Sequence, residues 1–233
     1  MLFRSGGTLD PLATGLLPIA LGEATKTVQW AMDGRKVYRF TVKWGEERTT
    51  DDLEGEVSAS SALRPGRDAI GSILTAFTGD ISQVPPAFSA IKVEGERAYD
   101  LARSGTAAAL APRQVRVESL KLLAVEGESA SFEVACGKGT YVRALARDMG
   151  RRLGCLGHVT ALRRVAVGGL GEGHMIPLAK LEELGHKAPG ENAMEGVLLP
   201  IATVLDGIPA LAVDERQAQR LRQGQTVLLR GAN

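Results

Sequence analysis

Between Arg113 and Gly154 the chain reads as two alternating stretches that run straight into an amphipathic one, and this succession restricts the fold more than any other feature. RQVRVESLKLLAV and ASFEVAC both alternate with period two, so each presents one apolar face, and Gly127 between them suits a tight connection. They are predicted to be neighbouring antiparallel strands. GKGTYVRALARDMGRRLG follows, with Val142, Leu145, Ala146, Met149 and Leu153 at helical spacing and Thr140 in the position of an N-cap. With 233 residues and 44% hydrophobic content, the chain can bury a real core in one full domain and a small second one.

Other segments extend the pattern. In KVYRFTVKWG, Tyr38, Phe40, Val42 and Trp44 alternate with Val37, Arg39, Thr41 and Lys43, a strand with an aromatic-rich face. LLPIAL is expected to be a short buried strand with Pro18 at an edge or bulge, and EATKTVQWAM to begin a helix. Ile70, Ile73, Leu74 and Phe77 have helical spacing closed by Gly79. VPPAFSAIKVEGERAYDLARSG should give a proline turn, a short strand, a glycine turn and a helix ending near Gly105. From Gly171 to Gly196 there is little periodicity, which suggests an insertion or linker, and the tail offers a helix at Glu215 to Leu221, a Gly-Gln turn and a strand.

The formal net charge is only +1, so any case for nucleic acid must be local. Lys138, Arg143, Arg147, Arg151, Arg152, Arg163 and Arg164 stand against the single acid Asp148, a net of +6 in 27 residues. That run reads either as a phosphate-binding patch or as a solvated helix face. Cys136 and Cys155 have no CxxC partner and read as reduced, packed thiols, and the three histidines lack zinc spacing, so no metal is expected. DDLEGE reads as a solvated acidic loop. LLPIAL is too short to cross a bilayer and the first residues lack the order of a signal peptide, so no membrane association is expected and the cytoplasm is the default.

GGTLDPLATGLLPIALGEATK places Asp10 immediately before Pro11. A residue before proline is biased away from the α region, so Asp10 should sit in a turn or extended segment with its carboxylate at a loop.

These stretches, GGTLDPLATGLLPIALGEATK, KVYRFTVKWG with DDLEGEV, QVPPAFSAIKVEGERAYDLAR, and CGKGTYVRALARDMGRRLG with LRR, resemble in order the signature blocks of the TruB family of tRNA pseudouridine synthases. The resemblance covers nearly the whole chain. It implies an α+β catalytic domain, a mixed and largely antiparallel sheet flanked by helices, over residues 1–206, and the start of a small PUA-like RNA-binding domain over 207–233. It also implies isomerisation of the uridine at position 55 in the T-loop of tRNA, with tRNA as partner, no protein partner and no cofactor.

By the same resemblance Asp10 is the catalytic carboxylate, Arg143 the arginine that pairs with it, and Tyr141 a ring against the target base that is implicated in removing the C5 proton. Tyr38 is the aromatic on which a flipped-out uracil stacks. Lys138, Arg147 and Arg163 would contact phosphates, and Lys92 would play a supporting part in substrate binding. The chain departs from the family pattern at Ser5, where the family has a histidine, in Arg48-Thr49-Thr50-Asp51-Asp52, where the family's Thr-Asp-Thr-Asp-Asp has one more acid, and at Gly137, where it has serine. The family's first strand and helix and most of its terminal domain are expected to be missing, which would leave a fragment with an exposed sheet edge and poor solubility. An RNA-binding module without turnover is the alternative reading.

Overall fold

The computed structural model describes residues 2–89, 91–93, 96–99, 110–186 and 196–228, with backbone alone at 92–93, 96–97 and 186. The strands in chain order are β1 (Phe3–Ser5), β2 (Thr14–Gly15), β3 (Ile19–Leu21), β4 (Lys36–Trp44), β5 (Glu46–Arg48), β6 (Val57–Ser60), β7 (Gly79–Gln83), β8 (Lys92–Val93), β9 (Glu96–Arg97), β10 (Arg113–Glu126), β11 (Ser129–Cys136) and β12 (Gly157–Val167). The helices are α1 (Val28–Asp33), α2 (Arg67–Ile73), α3 (Val142–Arg152), α4 (Leu178–His186), α5 (Ala202–Leu205) and α6 (Glu215–Arg222).

Six strands form the main sheet in the order β2-β12-β4-β11-β10-β7. Every neighbouring pair is antiparallel except β2 with β12, so the sheet is mixed and largely antiparallel. β10 and β11 pair across Gly127, which takes φ +55° in the connecting turn. On β4 the alternation holds: Phe40, Val42 and Trp44 are buried. Phe40 lies opposite Phe132 on one side and Leu162 on the other, and its ring stacks on Phe132 at 5.2 Å while Trp44 meets Phe132 edge-on. The stripe Val142, Leu145, Ala146 and Met149 of α3 closes this core, which also contains Val117, Val134 and Val159.

Several local expectations shift. The strand in LLPIAL is confined to Ile19–Leu21 and pairs with β1 outside the main sheet, so Ile19 is 53% exposed and only Ala20 is buried. The helix over Arg67–Ile73 tightens into a 3-10 turn at Leu74–Phe77. Thr140 does not cap α3: its hydroxyl donates to the Gly137 carbonyl, and Tyr141 is the N-cap residue. The segment read as a linker contains α4, LAKLEELGH, in which Leu178, Leu181 and Leu184 recur every third residue. Gln225 to Leu228 form no strand, and the helix expected to reach Gly105 lies largely outside the described residues.

One contact seats the loop that carries Asp10. Gly15 has φ +99°, and a Cβ there would stand 2.2 Å from the Arg164 carbonyl oxygen, so only glycine lets β2 run this close to β12. Leu16 N donates to that same Arg164 oxygen at 2.8 Å. Just before it, Ala13 N donates to the Asp10 carbonyl at 2.8 Å, closing a turn with Asp10 first and Pro11 second. Asp10 is therefore held at a corner of the chain, as the Asp-Pro step predicts.

Candidate active site around Asp10

Asp10 stands between two cavities, of about 220 and 200 Å³, and lines both. The first is also lined by Lys36, Tyr38, Lys138, Tyr141, Leu162 and Arg164, the second by Thr50, Asp52, Phe88, Tyr141 and Arg143. The carboxylate is held from the second side. Arg143, on the first turn of α3, donates from Nε to Asp10 Oδ2 at 2.8 Å and from Nη2 to Oδ1 at 3.0 Å, a two-pronged ion pair that fixes the plane of the carboxylate. The guanidinium is buried and fully engaged: it also donates to the carbonyls of Thr50 and Phe88, and Asp52 Oδ2 lies 3.5 Å from Nη1. Asp10 itself keeps a third of its side chain exposed, so the pair has a rigid rear and an accessible front.

Tyr38 projects from β4 and Tyr141 from the entry to α3, and both reach the first cavity. Burial pushes both phenols above their ordinary value, so both carry their proton at neutral pH. Each can donate a hydrogen bond or offer a ring face, and a role as base would require handing on a proton of its own. Among the described residues no group of three or more His, Cys, Asp or Glu side chains is placed to hold a metal ion, and no helix is long and apolar enough to cross a membrane.

Comparison with known proteins bears on this site. Residues 5–142 match the family model for the N-terminal domain of TruB family pseudouridylate synthases, and residues 143–206 match that for the tRNA pseudouridylate synthase B C-terminal domain. The chain belongs to the TruB family. It is 62% identical over 227 residues to a Bradyrhizobium diazoefficiens protein named tRNA pseudouridine synthase B, covering 97% of this chain and 66% of that one. A Rhodopseudomonas palustris protein of the same name is 60% identical, again over 97% of this chain and 62% of its own length. The chain thus spans a little under two thirds of these relatives. Among solved structures, a Cbf5-Nop10-Gar1 complex matches with a TM-score of 0.75 at 24% identity, over 96% of this chain and 59% of the other. An archaeal box H/ACA Nop10-Cbf5 complex matches with a TM-score of 0.71 at 22% identity, over 97% and 60%. These two share the fold.

Of the residues singled out from the TruB resemblance, the structure brings Asp10, Tyr38, Tyr141 and Arg143 together around the cavities, with Lys138 at the rim of the first. Lys138 is largely exposed and pairs with Asp33 at 2.8 Å. Arg163 lines neither cavity; it points to the outer face of β12 and pairs with Glu172 at 3.0 Å. The side chain of Lys92 lies outside the described residues.

Arg147 is a correction. It is 7% exposed, with Nη1 on Asp51 and Nε on Asp148, both at 2.9 Å, and Nη2 on the Val84 carbonyl, so no face of its guanidinium is left for a phosphate. The acidic block is corrected with it. Asp51 and Asp52 are buried beneath α3 as counter-charges to Arg147 and Arg143 and do not form a solvated loop. The basic run along the sequence is accordingly much weaker in space: Arg143 and Arg147 are buried and matched, and Arg151 pairs with Glu47.

Reading the sequence missed Arg164, Lys36 and Gln83 as site residues. Arg164 entered the sequence reading only as one charge of the basic run, whereas along β12 Leu162, Arg163 and Arg164 alternate buried, exposed, buried. That alternation turns one arginine of the pair outward and the other toward Asp10.

Proposed function

We propose that this chain isomerises uridine to pseudouridine in the T-loop of tRNA, at position 55, in the cytoplasm and without a cofactor. The observation that carries the reading is Asp10: a partly exposed carboxylate, clamped from behind by Arg143, at the mouth of a cavity walled by two tyrosines. Breaking the bond from ribose C1′ to uracil N1 requires a carboxylate beside the sugar, either to attack it or to move a proton. Joining C1′ to C5 then requires the detached base to turn in place, which the tyrosine walls can support by stacking and confinement. The target base of a folded loop must leave its stack to reach such a cavity. The relatives' name, tRNA pseudouridine synthase B, supports the same substrate.

Lys138, at the rim, is offered to the RNA backbone, and residues 207–233 are taken as the beginning of a PUA-like RNA-binding domain. The intact Asp10–Arg143 pair favours turnover over a binding-only role. The test is to incubate the purified chain and its Asp10→Asn variant with an unmodified tRNA transcript and map pseudouridine at single-nucleotide resolution. Conversion in the T-loop that the variant abolishes while retaining tRNA binding is expected. A folded chain that binds tRNA but converts nothing would replace this reading with an RNA-binding module.

A further inference from the structure

The first cavity holds more positive charge than the proposed isomerisation has so far used. Arg164 is 3% exposed, yet its described partners are all neutral: Nε donates to Leu16 O at 2.7 Å, Nη1 donates to Thr8 O at 3.0 Å, and the guanidinium also interacts with the Tyr38 hydroxyl. Its Nη2 is buried with no hydrogen-bond partner among the described residues. Lys36 is 8% exposed, and its ammonium donates to the Met32 carbonyl. Neither takes part in any described ion pair. Asp10 lines the same cavity, but the described bonds of its carboxylate go to Arg143 and none reaches either cation.

The two cations share one place. Arg164 on β12 lies directly opposite Tyr38 on β4, Lys36 stands two residues before Tyr38 on the same strand face, and all three line the cavity with Asp10 and Tyr141. Burying a cation without a counter-charge is costly, the more so for two in one cavity. Burial indeed lowers the ammonium of Lys36 below its ordinary value. Such a pair is arranged for an anion that arrives or forms there.

We propose that Arg164 and Lys36 form the anion pocket for the departing base, stabilising the uracilate produced when the glycosidic bond breaks. The inference rests on the isomerase reading above. In that step the C1′–N1 bond breaks and its electron pair stays on N1, spread onto the ring carbonyl oxygens, while Asp10 meets the electron demand of the sugar. In the return step the C5 electron pair forms the C1′–C5 bond, C5 loses its proton and N1 gains one, so no atom or electron is gained or lost overall. Donors fixed where negative charge develops stabilise the transition state more than the ground state. Arg164 has a further effect through Thr8 and Leu16, whose carbonyls flank the Asp10 turn, and the test must separate the two.

Single-turnover rates and RNA affinity are measured for the full chain, Arg164→Met, Arg164→Lys and Lys36→Met on a T-loop hairpin whose target is uridine or 5-fluorouridine. Fluorine makes the departing base a more stable anion and blocks proton loss from C5, so consumption of 5-fluorouridine reports glycosidic cleavage. Arg164→Met is expected to slow uridine conversion by about 10²-fold or more with little change in RNA affinity. Arg164→Lys is expected to recover part of the rate, and the loss should shrink clearly on 5-fluorouridine. Lys36→Met should show the same dependence on the base, and it carries the test alone if Arg164→Met does not fold. Equal losses on both bases would assign Arg164 to holding the loop only, and losses confined to affinity and its salt dependence would assign the pair to a phosphate; either overturns the proposal. Conversion by the unaltered chain that Asp10→Asn abolishes keeps the isomerase reading in force in those cases, whereas no conversion by the unaltered chain overturns both.

Discussion

The side-chain amide of Gln83 makes both a donor and an acceptor bond to the backbone of Tyr141: Oε1 accepts from Tyr141 N at 2.9 Å and Nε2 donates to Tyr141 O at 3.1 Å. Gln83 is the last residue of β7 and is 2% exposed, so this amide holds the backbone of the N-cap residue, taking its N–H as the N3 side chain of a capping box would, and sets the place of Tyr141 beside Asp10. Gln83→Leu would leave the Tyr141 N–H without a partner in the interior, a loss of about 1–3 kcal/mol in stability. Urea unfolding should show that loss, and turnover should fall at temperatures where the variant is fully folded. Unchanged turnover in a folded variant would mean that Tyr141 is placed by other contacts.

The contrast between Asp10 and Tyr141 shows what the sequence can express. The Asp10 turn is local grammar, an Asp-Pro step with a glycine nearby, and it formed as expected. Alternation on β4, β10 and β11 and the stripe on α3 were legible for the same reason, since period and apolar face are properties of neighbouring residues. The cap on α3 was misassigned because its partner, Gln83, is 58 positions away. The pairing of Arg147 with Asp51 joins residues 96 apart, and a count of charges along the chain cannot see such neutralisation. Arg143 was placed correctly through the family pattern alone, its partner Asp10 being 133 positions distant.

Arg147 and Lys138 should separate cleanly in RNA binding. Arg147→Met strands the buried carboxylate of Asp51 and is expected to cost about 3–5 kcal/mol of stability. The slope of log affinity against log salt should stay as it is, because Arg147 has no free face. Lys138→Met should do the reverse, changing stability by less than about 0.5 kcal/mol and reducing the slope by about 1. A shallower slope for Arg147→Met, measured on folded protein, would return it to the phosphate contacts.

Burial pushes the Asp51 carboxyl up to about 6, against the pull of Arg147. A raised carboxyl binds its proton more tightly in the native state than in the unfolded chain. Its contribution to stability is therefore fully present below about pH 4 and is lost as the pH rises through about 6. Asp51→Asn removes this titration, so the stability of the variant relative to the unaltered chain should climb across that window, by on the order of 2–3 kcal/mol, and level off above it. Glu47, held below its usual range by its hydrogen bond to Arg151, contributes in the opposite sense, at lower pH, and its charge is one of the causes that raise Asp51. Thermal or urea midpoints at several pH values between 4 and 8 check this, and a difference that does not vary with pH would show that Asp51 ionises as easily inside as outside.

Gly15→Ala tests whether the β2–β12 contact is what positions the carboxylate. An added Cβ would meet the Arg164 carbonyl oxygen at 2.2 Å, and alanine at φ +99° is strained whatever the space. The backbone strain alone costs about 1–3 kcal/mol, and the strands must also part to relieve the contact. Parting them moves the Asp10 turn and loosens the bonds from Arg164 to Leu16 and Thr8, while Arg143 stays fixed to Thr50 and Phe88. The expected outcome is a fold that survives with lower stability, RNA affinity close to that of the unaltered chain, and a fall in single-turnover rate larger than the lost stability explains. If the rate in folded Gly15→Ala equals that of the unaltered chain, the grip of Arg143 is enough by itself to place Asp10.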